Sequence, residues 1–356
     1  MREKSRPCDQ RQNWEQNTGG NKMEYRELGK TGMRISRLGF GGIPIQRIDA
    51  EGTKSLIRKL MEAGVNYIDT ARGYTVSEEY LGYALEGVRD RFILATKGRG
   101  LTREAMEADV ATSLRNLRTD YIDLYQFHNP SMENLEKITA PGGALEALQA
   151  AKAAGTVRHI GLTAHSAEVF EKALTLDWVE TIMFPYNIVE NQGAALMEKC
   201  MEKGIGFICM KPLAGGAIDD ATLALRYIVQ NPAVTVVIPG MAEPKELEQN
   251  LAAVSNTAPL SDAELAKIQA LRDSLGTQFC RRCNYCAPCT VGIQIPQLFV
   301  LEGYLTRYGL ADWAKGRYPT EGKASDCVEC GACESRCPYH LPIRDMMKRV
   351  AREFEG

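Results

Sequence analysis

Short apolar runs that favour β-strands alternate along the chain with stretches of helical periodicity. In those stretches the apolar residues recur every three or four positions, as in a helix that covers a sheet with one face. The strand candidates are VNYID (65–69), RFILATK (91–97), YIDLYQF (121–127), VRHIGLT (157–163), TIMFPY (181–186), GFICM (206–210) and TVVIP (235–239). The helical stretches between them include residues 53–63, 103–117, 144–154 and 221–229. The pattern predicts a series of βα units.

The glycine-rich segment ISRLGFGG (35–42) adds an eighth strand candidate at the start of this series. Eight βα units in roughly 250 residues are typical of a (β/α)8 TIM barrel, so we predict an α/β fold of that kind. The alternative is an open, doubly wound sheet, which usually carries a G-x-G-x-x-G turn that leads into a helix. Here the glycine cluster leads to Pro44 instead, which disfavours the open sheet.

Both ends of the chain differ in composition from this central part. Residues 1–22 are polar, carry charges of both signs and lack periodicity, so we predict a disordered extension, with Met23 as an alternative start. The segment from Glu24 to Phe40 predicts a β-hairpin about a glycine turn. Beyond about Arg272 the βα alternation stops. We therefore expect a barrel at 23–272 and a second domain at 273–356.

Composition and charge exclude several classes of protein. Of the 356 residues, 44% are apolar and 25% are charged, and the formal charge of −2 lacks the basic excess of a nucleic-acid-binding protein. There is neither a run of about 18 apolar residues nor a signal peptide, so we expect a cytoplasmic protein without a membrane partner. Eight of the eleven cysteines lie between Cys280 and Cys337, which indicates metal ligands in a reducing compartment.

Four polar residues lie where the predicted barrel places its chemistry. Catalytic residues of such barrels follow the carboxyl ends of the strands. Asp69, Lys97 and His128 end or follow three successive strand candidates, and Tyr74 lies five residues after Asp69. A tyrosine titrates near ~10, and a nearby lysine is expected to lower that pKa. Asp69 can neutralise the lysine, and His128 can bond a substrate oxygen, so the set suits proton transfer to a carbonyl that receives hydride.

Six stretches of the chain resemble the aldo-keto reductase family over about residues 23–270. They are LGFGG (38–42), NYIDTARGY (66–74), ATKG (95–98), QFHNP (126–130), IGLT (160–163) and VIPG (237–240). The resemblance implies a (β/α)8 barrel that uses NADPH or NADH, with Tyr74 as the general acid. It further implies that Lys97 and Asp69 tune Tyr74 and that His128 orients the carbonyl.

The resemblance also implies where the nicotinamide cofactor binds. The family uses the backbone after the first strand and residues after strands five to eight. In this chain the implied positions are Gly41, Gly42, Ile43, Asp69, Thr163, Met183, Met210, Pro239, Gly240, Met241, Glu246, Gln249 and Asn250. Ala164, Met183 and Met210 replace amide or aromatic groups that are commoner in the family, and Asn187 or His165 are candidates to supply the missing contacts.

The segment after the eighth strand bears on the choice of nucleotide. Glu246 occupies a place where NADPH-preferring members carry an arginine. A carboxylate repels a 2′-phosphate and can bond a 2′-hydroxyl instead. The sequence therefore favours NADH, whereas the neighbouring Lys245 leaves NADPH open.

The clustered cysteines form two runs with ferredoxin-like spacing. The run Cys327-x2-Cys330-x2-Cys333-x3-Cys337-Pro338 matches that of bacterial ferredoxins, in which the last cysteine serves the other cluster. The earlier run, Cys280-x2-Cys283-x2-Cys286-x2-Cys289, is one residue shorter and lacks the proline. We predict two [4Fe-4S] clusters with exchanged fourth ligands: Cys280, Cys283, Cys286 and Cys337, and Cys327, Cys330, Cys333 and Cys289. Zinc is the alternative, although zinc sites favour separated C-x2-C pairs.

In the segment between the two cysteine runs, apolar residues recur at the period of a helix from Ile295 to Leu305. We therefore expect a small α-helical ferredoxin-like domain. Its aromatic residues are expected to form core or interface contacts; they are Phe299, Tyr304, Tyr308 and Trp313.

Three functions are compatible with a nicotinamide barrel joined to iron–sulfur clusters. The first is an NAD(P)H-dependent oxidoreductase that interconverts a small carbonyl compound and an alcohol, with structural or redox-sensing clusters. The second is an electron-transfer protein that serves a ferredoxin or flavoprotein, although hydride carries two electrons and a cluster accepts one at a time. The third is a non-catalytic nicotinamide sensor. We favour the first, and the presence of all four barrel residues counts against the third.

Overall fold

The computed structural model describes residues 23–356, so the predicted disordered extension at 1–22 lies outside the described residues. The chain begins with an antiparallel hairpin of β1 (Tyr25–Glu27) and β2 (Arg34–Ser36), as predicted. Gly29 turns this hairpin with a positive φ of 57°, and a Cβ on it would lie 2.3 Å from the Gly206 nitrogen. Leu28 and Ile35 pack with barrel-interior residues such as Leu124, so the hairpin covers one end of the barrel.

Eight parallel strands follow and close into a barrel, which confirms the predicted fold. They are β3 (Phe40–Gly41), β4 (Tyr67–Asp69), β5 (Ile93–Gly98), β6 (Ile122–His128), β7 (Val157–Thr163), β8 (Thr181–Pro185), β9 (Gly206–Met210) and β10 (Val236–Val237). Each strand pairs with the next in chain order. Bridges from Leu38 to Val237 and from Gly41 to Gly240 join the first strand region to the last.

Ten helices belong to the barrel portion of the described chain. They are α1 (Ala50–Glu62), α2 (Ser77–Ala84), α3 (Arg103–Asn116), α4 (Met132–Thr139), α5 (Ala144–Ala153), α6 (Ala167–Ala173), α7 (Ala194–Lys203), α8 (Ala221–Val229), α9 (Pro244–Ser255) and α10 (Asp262–Leu275). Side-chain caps start several of them: Asp49 accepts from the Gly52 amide and thereby begins α1 three residues before the predicted start. Thr102 and Asp220 cap α3 and α8 in the same way.

The C-terminal part of the chain is helical, as predicted. Its helices are α11 (Ile295–Thr306), α12 (Ala311–Lys315), α13 (Ala332–Ser335) and α14 (Ile343–Glu355). Residues of α11 and α14 share a small core with the cysteines, in which Leu298, Met347 and Val350 are buried beside Cys333 and Cys337. Here we call residues 279–356 the cysteine domain.

The cysteine domain packs over the carboxyl ends of the barrel strands. Arg281 Nε donates to the Val189 carbonyl at 3.2 Å, and Arg307 Nε donates to the Gly215 carbonyl at 3.0 Å. These two carbonyls belong to the loops after β8 and β9. The domain therefore lies above the barrel mouth, where the catalytic candidates are placed.

None of the helices formed by residues 23–356 combines the length and the apolar character that crossing a bilayer requires.

Candidate active site

A buried ion pair lies at the barrel mouth between two neighbouring strands. Lys97 Nζ on β5 donates to Asp69 Oδ2 at the end of β4 over 2.5 Å and to the Thr70 carbonyl over 2.7 Å. Gln126 Nε2 on β6 donates to Asp69 Oδ1 at 3.2 Å. Only 2% of the Lys97 side chain and 4% of the Asp69 side chain are exposed. Burial raises the pKa of Asp69 and lowers the pKa of Lys97, and the contact between them opposes both shifts.

Tyr74 and His128 lie next to this pair. The loop after β4 turns back at Tyr74, whose amide donates to the Ala71 carbonyl at 3.0 Å. The Tyr74 ring meets the His128 ring edge-on, with 5.9 Å between the ring centroids, and Lys97 Nζ is 4.9 Å from the Tyr74 centroid. The structure thus brings all four predicted catalytic residues together.

The protonation of Tyr74 differs from the sequence-based expectation. Burial, and next the charge of Asp69, raise its pKa well above 10. The lowering expected from Lys97, whose ammonium is paired with Asp69, does not outweigh these two effects. Tyr74 is therefore a protonated phenol at neutral pH, which is the form that a proton donor requires.

His128 and His165 are neutral and carry unused hydrogen-bonding capacity. Burial, followed by the charge of Lys97, holds the pKa of His128 well below its usual range, and burial followed by Arg282 does the same for His165. Within residues 23–356, the buried Nδ1 atom of each ring has no hydrogen-bond partner. Both rings line one cavity, so these atoms are available to a bound molecule.

A cavity of about 910 Å³ opens above these residues, a volume within the range of small-molecule sites. Several predicted cofactor positions line it; they are Gly41, Gly42, Ile43, Asp69, Thr163, Met183, Met210 and Gly240. At Gly41 a Cβ would meet the Ile238 and Pro239 carbonyl oxygens at 3.0 and 3.1 Å. The absence of a side chain at Gly41 and the two imidazole nitrogens without a hydrogen-bond partner are compatible with a nicotinamide ring and its carboxamide in this cavity.

Other predicted cofactor positions lie outside the cavity. Pro239, Met241, Glu246, Gln249 and Asn250 do not line it, and Met241 and Asn250 are buried in the barrel. Glu246 has a structural task, because its Oε2 accepts from the amides of Ala242 at 2.6 Å and Glu243 at 2.9 Å at the start of α9. The N-cap residue is Glu243 and not Ser, Thr, Asp or Asn, so the sequence carries no clear capping-box signal.

Asn187 does not replace the missing amide contacts, which corrects one sequence-based expectation. Its side chain is buried, and its Oδ1 accepts from the amides of Val189 and Glu190. Its Nδ2 donates to Glu190 Oε2 and to the Lys211 carbonyl, each at 2.9 Å. Asn187 therefore organises the loop after β8, and of the two candidates His165 alone faces the cavity.

The cysteine domain supplies one wall of the cavity, which sequence reasoning missed. Arg282, Tyr304, Tyr308 and Trp313 line it together with Tyr74. Tyr304 packs against Tyr308 and Trp313, with ring centroids 4.9 and 4.6 Å apart. The i, i+4 spacing of the two tyrosines was the available signal, although α11 ends at Thr306, before Tyr308. The predicted interface role of these aromatics is correct, and the interface includes the candidate active site.

Four of the predicted cluster ligands surround a second, small cavity. Cys289, Cys327, Cys330 and Cys333 line it, which is the set expected from exchanged fourth ligands. The Thr290 hydroxyl lies 3.3 Å from Cys330 Sγ. The donor set and the enclosure suit an iron–sulfur cluster at this place.

The other four cysteines also lie near one another. Burial, with smaller contributions from the charges of Cys283 and Cys337, raises the pKa of Cys280 to about 11. Burial raises the pKa of Cys286 to about 12, again with contributions from Cys280 and Cys283. Nowhere in residues 23–356 do three or more His, Cys, Asp or Glu side chains converge closely enough for a single metal ion. Cys283 also lines the large cavity that holds Tyr74.

The closed parallel barrel, its catalytic candidates and the cysteine domain define an oxidoreductase barrel joined to an iron–sulfur domain. A model of the aldo/keto reductase family matches residues 37–222 and 218–273, and a model of a 4Fe-4S dicluster domain matches residues 279–342. The chain belongs to the aldo/keto reductase family. The predicted fusion of this barrel with a C-terminal 4Fe-4S domain is confirmed.

Relatives of known sequence and structure agree with this assignment. L-galactose dehydrogenase of Arabidopsis thaliana is 27% identical in an alignment of length 307, which covers 70% of this chain and 94% of that protein. An uncharacterized oxidoreductase of Schizosaccharomyces pombe is 30% identical in an alignment of length 275, which covers 66% of this chain and 86% of that one. An aldo-keto reductase from Bacillus halodurans, solved in its holo form, has a TM-score of 0.62 at 27% identity and covers 70% of this chain and 96% of its own.

Proposed function

We propose that the protein is an NAD(P)H-dependent oxidoreductase that interconverts a small carbonyl compound and an alcohol. The observation that carries the proposal is the placement of Tyr74: a protonated phenol beside neutral His128 and next to the Lys97–Asp69 pair, on the wall of a ligand-sized cavity. A proton donor in this environment suits a reaction in which charge develops on a carbonyl oxygen.

Each side chain of the candidate active site has its own role in the proposed reaction. The nicotinamide, when bound, supplies the hydride for the carbonyl carbon. Tyr74 gives its hydroxyl proton to the carbonyl oxygen, and His128 holds that oxygen with a hydrogen bond. Lys97, 4.9 Å from the Tyr74 ring, favours the phenolate that remains, while Asp69 and the Thr70 carbonyl keep the ammonium in place. In the reverse direction the phenolate accepts the proton of the alcohol.

The experiment that tests the proposal is a set of anaerobic assays of nucleotide oxidation with simple aldehydes and ketones. Consumption of NADH or NADPH in proportion to the alcohol formed supports it. If neither nucleotide binds or is oxidised with any carbonyl compound, the proposal is wrong.

We also propose that NADH is the preferred nucleotide, on the charge of Glu246. Replacing Glu246 by glutamine is expected to shift relative affinity towards NADPH by about fivefold, because the repulsion of a 2′-phosphate is worth ~1 kcal/mol at such a surface. Glutamine retains the capping-box function, so α9 stays intact. Fluorescence titration of both nucleotides measures the shift. Glu248→Gln, exposed on the same helix, is the control, and an equal shift there contradicts the prediction.

The cysteine domain is proposed to hold two [4Fe-4S] clusters, one on Cys280, Cys283, Cys286 and Cys337 and one on Cys327, Cys330, Cys333 and Cys289. The close approach of the cysteines within each set supports this division. The same clusters support a reducing, cytoplasmic setting. We place the division between the two domains at residue 272.

Anaerobically purified protein is expected to contain about eight iron atoms per chain and a similar amount of sulfide. Cys330→Ser is expected to lower the iron content to about four, because it removes a ligand of the second cluster alone. Cys200→Ala, in a buried position of the barrel, is the matched control and keeps the full content. Bound zinc, or about four iron atoms in the unaltered protein, contradicts the assignment.

Electron transfer is the second candidate function, and the position of Cys283 favours it. Cys283 lines the same cavity as Tyr74, so the first cluster would border the nicotinamide site. A ferredoxin or flavoprotein is then the proposed partner. Anaerobic addition of NADH distinguishes the two functions: bleaching of the cluster absorbance supports electron transfer, and an unchanged spectrum supports a carbonyl reductase with electronically isolated clusters.

A further inference from the structure

The large cavity is basic, although the chain as a whole is slightly acidic. Among the described residues that line it, seven are basic and three are acidic, whereas the whole chain has a formal charge of −2. The basic residues come from both domains; they are Arg47, Lys97, Arg99, Lys211, Arg282, Arg307 and Arg317. Such a concentration of one sign raises the local concentration of ligands of opposite charge.

Four of the seven cations form no ion pair with a carboxylate in the part of the chain that the structure describes; they are Arg99, Lys211, Arg307 and Arg317. Lys97 is paired with Asp69, Arg282 contacts the buried carboxylate of Glu190, and Arg47 lies 4.0 Å from Glu246. The guanidinium groups of Arg307 and Arg317 donate to the carbonyls of Gly215 and Trp313, which leaves Arg99 and Lys211 as the cations without such a partner. The Lys211 ammonium lies 5.9 Å from the centroid of the Tyr308 ring.

Arg99 and Lys211 both act at the place of the proposed reaction. The charges of Arg99 and Lys211 both lower the pKa of His128, and Arg99 also acts on Tyr74. Arg99 directly follows β5, and Lys211 directly follows β9, so the two lie at the ends of well-separated strands of the barrel. They therefore flank the carbonyl position from two sides of the mouth.

We infer that the substrate is an anionic carbonyl compound, whose carboxylate or phosphate group is held by Arg99 and Lys211. This inference rests on the proposed carbonyl–alcohol chemistry and names its substrate class. Arginine and lysine both form charge-assisted hydrogen bonds with such groups, and arginine can do so with two parallel bonds. The wall contributed by Tyr308 and Trp313 gives the remainder of the substrate an aromatic surface.

This inference is tested by calorimetry, which measures the binding of carbonyl probes to the cluster-loaded protein without added nucleotide. Two pairs of probes differ in a single anionic group: 4-formylbenzoate against its methyl ester, and glyceraldehyde 3-phosphate against glyceraldehyde. We expect the anionic member of at least one pair to bind about tenfold more tightly or better, and the pair that discriminates identifies the group. Equal affinity within both pairs overturns the inference.

Variants of the two cavity residues show which side chains cause the preference for the anionic probe. Arg99→Met and Lys211→Met are each expected to remove most of the preference for the anionic probe and to leave the affinity for the neutral probe within about twofold. Arg58→Met on α1 and Lys199→Met on α7, both exposed and outside the cavity, remove the same charges and are expected to keep the preference. A preference that survives in both cavity variants overturns the inference.

Three further outcomes separate this inference from the proposed function and from the role of the nucleotide. Selective binding of anions without reduction of any carbonyl means that the proposed function fails and the anion site remains. Reduction of both members of each pair with equal kcat/KM means that the function holds and the substrate class is wrong. If Lys211→Met weakens NADH binding and leaves the probes unaffected, the lysine serves the nucleotide pyrophosphate, which overturns its assigned role.

Discussion

Replacement of Tyr74 by phenylalanine is expected to lower kcat for carbonyl reduction by about 10²- to 10⁴-fold, the usual contribution of a positioned general acid. The change removes only the hydroxyl, so the ring contacts with His128 and Lys97 persist and KM should change little. Burial holds the pKa of Tyr74 well above 10, so reduction by the unaltered protein should be independent of tyrosine ionisation through neutral pH. The rate should fall only when the pH rises towards that pKa and the donor proton is lost.

Steady-state kinetics and nucleotide affinity measure the effect of this variant. Tyr80→Phe on α2, which packs against the barrel core away from the cavity, is the matched control and should retain full activity. A Tyr74→Phe protein with kcat within about twofold of the unaltered enzyme would assign the proton donor to another group. A loss of nucleotide binding instead of kcat would show that the hydroxyl is a binding contact.

Replacement of Glu190 by alanine is expected to lower the free energy of unfolding by about 3–5 kcal/mol, the cost of breaking a buried ion pair. Glu190 is completely buried in the loop after β8, where its carboxylate contacts Arg282 of the cysteine domain and accepts from Asn187 Nδ2 at 2.9 Å. Its loss leaves the Arg282 guanidinium, only 11% exposed, without its anionic partner. We expect the cysteine domain to separate from the barrel more readily.

Anaerobic urea unfolding, with limited proteolysis to follow separation of the domains, measures this change. Arg282→Met should lower the free energy of unfolding by a similar amount, because it leaves Glu190 buried and unpaired. The double variant Glu190→Gln, Arg282→Met should recover part of the loss, since neither charge then remains buried alone. A loss below about 1 kcal/mol in Glu190→Ala would mean that the pair contributes no more than a surface ion pair.

The same contact links the fold to the proposed chemistry. Arg282 lines the cavity, and its charge contributes to the neutral state of His165. The ion pair with Glu190 therefore positions a domain and, at the same time, part of the electrostatic environment of the candidate active site. Separation of the domains should lower kcat/KM even though Asp69, Tyr74 and Lys97 all belong to the barrel.

The residue pattern of the chain determined the barrel and most of its catalytic candidates. The alternation of strand and helix periodicity is a property of short sequence segments. The same pattern shows where each barrel strand ends, which is where the catalytic residues of such barrels lie. Asp69, Lys97 and His128 were found for this reason. The spacing of the cysteines likewise predicted the iron–sulfur domain, because a cluster requires several thiolates within a short segment.

Tertiary packing decided what surrounds those residues. The pKa of Tyr74 follows from its burial and from the charge of Asp69, and the spacing of the residues does not reveal that burial. Asn187 is engaged by backbone groups of its own loop, so its polar character says nothing by itself about a ligand.

The cysteine domain shows most clearly which features the sequence determines and which only tertiary packing decides. Its sequence determined that it binds metal, but only its docking through Glu190 and Arg282 places Tyr308 and Trp313 above a barrel that lies far upstream in the chain. Contacts between segments distant in sequence depend on the shapes and charges of two finished surfaces. For that reason the candidate catalytic residues could be predicted from the sequence, whereas the basic, aromatic cavity around them could not.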